Sequence, residues 1–174
     1  LDTVDISYIM CSDYICNKHD MAHPSDLAYG KGFALVNTEF RRVLTKMSRL
    51  VKGDGTPFGL ILISHTKRIE IDSRDGKYIK SVPTLPQSPR EIACGMADFI
   101  FYLDTIDKPD GGHDRVLRTK PSKAWEAGDR SGKLPEIIPQ DWRAVAAHLE
   151  PAPAPKRKKN ARPKVTEEPN AVSQ

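Results

Sequence analysis

Apolar side chains recur along the first third of the chain in two helical registers separated by a polar loop. Ile6, Ile9, Met10, Ile15 and Cys16 trace an imperfect stripe that predicts a helix over residues 5–19. Phe33, Val36, Phe40, Val43, Leu44, Met47, Leu50 and Val51 follow one another at three- and four-residue steps and predict a second helix over 33–51, with Glu39, Arg41, Arg42, Lys46 and Arg49 on its polar face. Between them His23-Pro-Ser-Asp-Leu-Ala-Tyr-Gly-Lys-Gly32 reads as a loop. After the break at Gly53-Asp-Gly-Thr-Pro57, Phe58-Gly-Leu-Ile-Leu-Ile-Ser64 is apolar without alternation, the pattern of an internal parallel strand buried on both faces. A helix leading into such a strand reads as a βαβ unit. Leu1-Asp-Thr-Val-Asp5 reads as the end of an earlier buried strand, and with Leu1 in place of an initiator Met it predicts a chain truncated at its N-terminus.

The second half alternates shorter elements. Residues 68–72 and 77–82 flank Ser-Arg-Asp-Gly and predict a hairpin. Ser88-Pro-Arg-Glu91 predicts a helix start, with Ser88 as cap, Pro89 in the first turn and Glu91 closing a capping box. Residues 99–103 predict a strand, Pro109-Asp-Gly-Gly112 its turn, 115–120 the returning strand, and 140–149 a short last helix. No internal repeat is visible.

Composition narrows the class. A chain of 174 residues, 39% hydrophobic and 29% charged, suits one α/β domain with a tail. Its longest apolar run, 58–63, is far below the roughly 18 residues needed to span a bilayer, so no membrane partner is expected. Three cysteines, Cys11, Cys16 and Cys94, cannot all pair, and no basic-then-apolar leader opens the sequence, which predicts a cytoplasmic protein with free thiols. Of the 27 basic and 23 acidic residues, six and two lie from Pro151 onward, so the body over 1–150 is neutral and the tail over 151–174 carries the whole excess of +4. Rich in proline and poor in apolar groups, that tail is expected to be disordered, and its charge favours polyanions through counterion release, although a basic tail also serves as a plain solubiliser.

Asp2 and Asp5 stand at the predicted strand end, where α/β sheets place ligands, and one of them could hold a hydrated magnesium ion; an aspartate there is also an ordinary helix cap. Ser64-His65 ends the next strand at the same edge, where an imidazole could sense a phosphate or orient water, or simply bond within a loop. Cys11, Cys16, His19 and His23 have zinc-capable side chains, but Cys11 and Cys16 are five apart on a predicted helix and diverge by about 140°.

Leu1-Asp-Thr-Val-Asp5, His23-Pro-Ser-Asp26 with Tyr29-Gly-Lys-Gly32, Ile63-Ser-His65, Val82-Pro-Thr-Leu-Pro86 and, most specifically, Arg118-Thr-Lys-Pro-Ser122 followed by Glu126-Ala-Gly-Asp-Arg-Ser-Gly-Lys-Leu-Pro-Glu136 together resemble the phage-encoded RecA-like ATPases of recombination and single-strand annealing. The resemblance covers about residues 1–145. It implies an α/β RecA-like P-loop NTPase core, ATP and Mg2+ as cofactors, single-stranded DNA as partner, a homo-oligomeric ring or filament, and a bacterial host cytoplasm. By position Asp2 matches the Walker B aspartate that holds magnesium through water, and His65 the strand-end residue that senses the γ-phosphate. Arg118 and Lys120 match basic residues that reach the nucleotide of a neighbouring subunit. The loops over 23–32, with Lys31, and 66–85, with Lys67, Arg68, Arg74, Lys77 and Lys80, match the DNA-contacting loops, and Tyr78 is a candidate for stacking on a base. The core is incomplete in one respect: no Gly-x-x-x-x-Gly-Lys-[Ser/Thr] occurs, and Gly53-Asp-Gly-Thr-Pro-Phe-Gly59 lacks the lysine and leads into a strand. The 174 residues by themselves are therefore expected not to hydrolyse ATP. A non-catalytic DNA-binding or interaction module and the motor domain of a hexameric helicase are the alternative readings.

Overall fold

The computed structural model of the chain describes residues 1–149; the predicted tail, and the charge placed on it, lie outside them. Helix α1 (Val4–Lys18) begins where the Thr3 hydroxyl accepts from the Ile6 amide, and α2 (Lys31–Ser48) follows after two short turns at Pro24–Asp26 and Ala28–Gly30. The helices pack through Val4, Cys11 and Ile15 of α1 against Val36, Phe40 and Leu44 of α2, joined by Leu85, Ile92 and Ala93. Tyr8 meets the Phe40 ring edge-on at 5.3 Å and donates its hydroxyl to Asn37 Oδ1 at 3.0 Å.

The buried stripe of α1 is therefore not the predicted one. Ile15 and Cys16 are inside, but Ile6, Ile9 and Met10 are each more than half exposed, because α2 lies on the Val4-Cys11-Ile15 side. Likewise α2 stops at Ser48, and Leu50 and Val51 leave the core: the chain turns over 52–55, where the Gly55 amide donates to the Lys52 carbonyl. Cys11 and Cys16 are buried with free thiols, and among the described residues no three His, Cys, Asp or Glu side chains converge, which removes the zinc site.

Gly32, the second residue of α2, sits so close to the 23–26 turn that a Cβ there would lie 2.0 Å from the Pro24 carbonyl oxygen. Backbone cannot yield as a side chain can. Gly32→Ala is expected to destabilise the chain by about 2–3 kcal/mol, read as a lower denaturant midpoint at unchanged slope.

The segment 58–64 departs most from expectation. It is not a doubly buried internal strand: Phe58, Ile61 and Ile63 are each at least half exposed. At its start the Phe58 amide donates to the Leu50 carbonyl, and at its end it lies beside the first residues of the chain. The Leu1 amino group donates to the Ile61 carbonyl, the Ile63 amide to the Leu1 carbonyl and the Val4 amide to the Ile63 carbonyl, with Asp2 and Ile63 bridged in parallel. These first residues cover one edge; Leu62 packs against the first core, while Ile61 and Ile63 face solvent. The parallel sense, joined through α1 and α2, is that of the expected βαβ unit.

The remaining strands are antiparallel. β1 (Thr66–Ser73) and β2 (Gly76–Pro83) form the predicted hairpin, closing on Ser73 opposite Gly76. α3 (Gln87–Met96) has Pro86 at its cap position and no side-chain cap; Ser88 falls inside the first turn, and Glu91 accepts from the Gln87 side chain rather than closing a capping box. The single strand expected over 99–103 is two, β3 (Phe99–Ile100) and β4 (Tyr102–Asp107), in different sheets. β5 (His113–Arg118) returns on β4, β6 (Gly128–Asp129) pairs with β3, β7 (Ile137–Pro139) extends the β4-β5 sheet, and α4 (Trp142–Leu149) closes a second small core of Leu117, Leu134, Ile138 and Val145. The class is mixed α/β with small sheets. Among the described residues no helix is long and apolar enough to cross a membrane.

Candidate functional site

The polar edge of the parallel pair gathers four elements. Asp5, in the first turn of α1, receives the Ser64 hydroxyl on Oδ1 at 2.5 Å, and on Oδ2 the His65 amide at 3.3 Å and ring Nδ1 at 3.1 Å. Burial raises the Asp5 pKa, but the Ser64 hydroxyl and then the His65 amide and ring outweigh it, leaving the carboxyl below its ordinary value. A carboxylate on Nδ1 selects the tautomer with its proton there and turns Nε2 outward. The Thr84 amide donates to the His65 carbonyl at 2.9 Å and approaches the Ser64 hydroxyl at 3.3 Å, so both feet of the β1-β2 hairpin are tied to the Asp5 carboxylate.

Asp2 lies on the same edge with a different environment. It is exposed, and among the described residues its carboxylate has no hydrogen bond or ion pair. A free carboxylate at a strand end suits a hydrated magnesium ion, which keeps several of its waters and takes one or two protein carboxylates. Asp5 is already engaged. For the phosphates themselves no cradle of lysine and glycine-rich turn is present among these residues.

The basic residues of the hairpin do not form one face. Register places Lys67, Lys80 and Tyr78 on one side with Val82, and Arg68 and Lys77 on the other with Glu70 and Asp72; Arg74 is in the turn. Lys77 pairs with Glu70 at 2.6 Å and Lys80 with Glu126 at 2.7 Å, whereas Lys67, Arg68 and Arg74 have no ion pair among the described residues. Tyr78 is half-buried with Lys123 Nζ 5.9 Å over its ring. Tyr29, which pattern reading passed over, is 98% exposed in the other loop, two residues before the exposed Lys31.

Arg118 and Lys120 are each held by a carboxylate of their own chain. Arg118 Nε bonds Asp104 Oδ2 at 3.0 Å while its guanidinium lies 4.9 Å over Trp125, itself stacked on Tyr102. Lys120 Nζ is 3.1 Å from Asp129 Oδ2. The Asp129 side chain is fully buried and also accepts from the Ser131 amide and hydroxyl and the Gly132 and Leu134 amides. Burial pushes its pKa up, but the Ser131 hydroxyl, the Leu134 amide and Lys120 together hold it far below the ordinary range. The Asp-Arg-Ser-Gly string was the sequence signal for this turn, since aspartate accepts from amides two residues on. Glu126 and Trp125 also bind this block to the hairpin: the Ser81 amide donates to Ala124 and the Glu126 amide to Ser81.

Clefts open among the described residues. One of about 370 Å³ runs from Asp5, Tyr8 and Asp13 past Pro24 and Phe33 to Thr84–Pro86; another of about 530 Å³, sharing no residue with the first, lies between α2 and α3.

A family model described as an AAA domain matches residues 1–131. No curated protein and no solved structure matches the chain.

Proposed function

The chain belongs to the AAA domain family, and from that premise we propose that it forms the metal-binding and phosphate-sensing part of a RecA-like ATPase acting on single-stranded DNA in phage recombination or annealing. On this reading the protein works as a homo-oligomer in the cytoplasm of the bacterial host. The observation that carries it is the junction at one polar edge of a free carboxylate, Asp2, with the Asp5-Ser64-His65-Thr84 cluster that ties both feet of a hairpin together.

Magnesium bound through water to Asp2 would supply charge against the β- and γ-phosphates. The chain's own residues do the rest. Asp5 holds the His65 ring through Nδ1 and so presents Nε2 outward, where a phosphate oxygen would meet it. Movement of that ring alters the Asp5 and Thr84 bonds and so reaches the hairpin without passing through the core. Since no Gly-x-x-x-x-Gly-Lys-[Ser/Thr] occurs in the 174 residues, the phosphates are to be cradled by residues outside them. That same lack favours the second reading, a DNA-binding module without hydrolysis. For Arg118 and Lys120 to act on a neighbour's nucleotide, each has to leave its own carboxylate, a role that makes Asp104 and Asp129 the residues that store them.

For DNA, Arg68 and Arg74, which like Lys67 have no ion pair among the described residues, are the phosphate contacts and Tyr29 the exposed stacking face. Anisotropy with labelled single strands at several salt concentrations tests this. Changing Arg68 and Arg74 together to Ala is expected to weaken binding alike for every sequence and to lower the salt slope by about 1.4, at about 0.7 per phosphate. Tyr29→Ala is expected to cost roughly tenfold in affinity at an unchanged slope. Wild-type affinity and slope in both variants would remove DNA from the reading.

A further inference from the structure

Trp125 stands where the hairpin meets the strand that carries Arg118. The β1-β2 hairpin and the β4-β5-β7 sheet are separate sheets, and residues 122–126 touch both. On one side the Ser81 amide donates to the Ala124 carbonyl at 2.8 Å and the Glu126 amide to the Ser81 carbonyl at 2.9 Å, so β2 holds Trp125 by its two neighbours. Lys80 adds an ion pair to Glu126 at 2.7 Å. On the other side the indole lies 5.8 Å from the Tyr102 ring with 9° between their planes, the Arg118 guanidinium lies 4.9 Å over it, and its N–H donates to the Lys120 carbonyl at 3.0 Å. Ser122 fixes the turn from within, its hydroxyl accepting from the Ala124 and Trp125 amides at 3.0 and 3.2 Å.

Two groups therefore share the guanidinium. Asp104 takes its Nε, the indole covers its plane, and with both in place the Arg118 side chain is 18% exposed. A cation on an aromatic face is held by the negative face of the ring. Tyr102 is directly opposite Arg118 in the β4-β5 register, which backs the indole with a strand residue. The same end of β2 also serves the polar edge. Thr84, whose amide donates to the His65 carbonyl, is three residues from Ser81, about 10 Å of extended chain, and Val82 between them is buried.

We infer that Trp125 is a positioning residue for Arg118: its indole keeps the guanidinium stored beside Asp104, and the hairpin, through Ser81, keeps the indole in place. A pull on β2, from a phosphate at His65 or from DNA at Arg68 and Arg74, loosens Trp125 and releases Arg118. What the release is for rests on the function proposed above. The clamp itself is tested without ATP or DNA, so either can fail alone.

The full-length chain is treated with phenylglyoxal, which modifies accessible guanidinium groups, and the rate at Arg118 is followed by peptide mass spectrometry as a ratio to that of Arg42 on α2, so that general unfolding cancels. Trp125→Leu is expected to raise the ratio about fivefold, the scale of one cation–π contact, whereas Trp125→Phe, which keeps a flat face and loses the N–H, stays within about twofold of wild type. Ser81→Pro removes the amide that faces Ala124. Ser81 is opposite Arg68 with its amide and carbonyl both turned away from β1, so no bond between the two strands is lost. That variant is expected to raise the ratio about threefold, the scale of one hydrogen bond, and to add nothing in the Trp125→Leu background. If Ser81→Pro fails to fold, Lys80→Gln, which breaks the ion pair to Glu126, takes its place with the same direction expected. A ratio unmoved by Trp125→Leu overturns the inference, as does equal acceleration by the Phe and Leu variants. Acceleration by the hairpin variant that persists undiminished without the indole overturns it too, since β2 would then act on Arg118 by another route.

Discussion

Asp2→Ala is expected to lower magnesium-dependent ATP hydrolysis about 100-fold or more in protein that carries the phosphate loop, with no loss of thermal stability. The side chain is exposed and touches no core residue, so its removal creates no cavity. On the proposed reading it removes the carboxylate that would hold the hydrated ion beside the phosphates, and a group aligned with charge that develops in the transition state is worth several kcal/mol. Asp5→Ala separates the two acidic roles: it strips Ser64 and His65 of their acceptor and is expected to lower stability as well as any coupling between nucleotide and hairpin. The comparison is made by steady-state ATPase rates at saturating magnesium beside melting curves. Wild-type turnover in Asp2→Ala would take the metal-holding role from this residue.

Asp129→Ala is expected to destabilise the chain by about 3 kcal/mol at pH 7, the largest effect on stability of any single polar side chain here. One carboxylate there serves three backbone amides, a hydroxyl and the Lys120 ammonium, and its loss leaves the amide of the buried Leu134, with those of the exposed Ser131 and Gly132, without this acceptor. Lys120 is 39% exposed, so water takes up part of its charge and keeps the cost below that of a fully buried broken pair. The pH dependence follows from the direction of the shift. The folded pKa lies far below the ordinary 3.8, so the stabilisation is fully present above that value and is lost as pH falls below it toward the folded pKa. Wild type and Asp129→Ala are therefore expected to differ most in urea midpoint near neutral pH and to converge progressively below about pH 4. A constant difference from pH 7 to pH 2 would assign the loss to the turn backbone alone.

Local signals were strong wherever an element contains its own reason for forming. The α2 stripe at Val36, Phe40 and Leu44, the hairpin around Ser73 to Gly76 and the turn at 109–112 need only their own residues and appear as predicted. The candidate edge was partly legible, since Asp2, Asp5, Ser64 and His65 all end apolar runs. Their division of labour was not, because a strand end marks a place in the fold and says nothing of which carboxylate meets which donor. Asp5 received Ser64 and His65, and Asp2 stayed free.

Sequence by itself determined the helical and hairpin periodicities, the basic tail and the lack of a phosphate-loop motif. Tertiary structure alone decided which apolar residues are inside. Ile6, Ile9 and Met10 and the run at 58–63 have the pattern of core, yet burial needs a second surface, and α2 covers α1 from the other side while only Leu1–Val4 lies beside Ile61 and Ile63. It also decided the partners of Arg118, Lys120 and Lys80. An ion pair forms between groups that the backbone brings within a few ångströms, and Asp104, Asp129 and Glu126 reach these cations through β-pairings and turns whose register no charge pattern encodes.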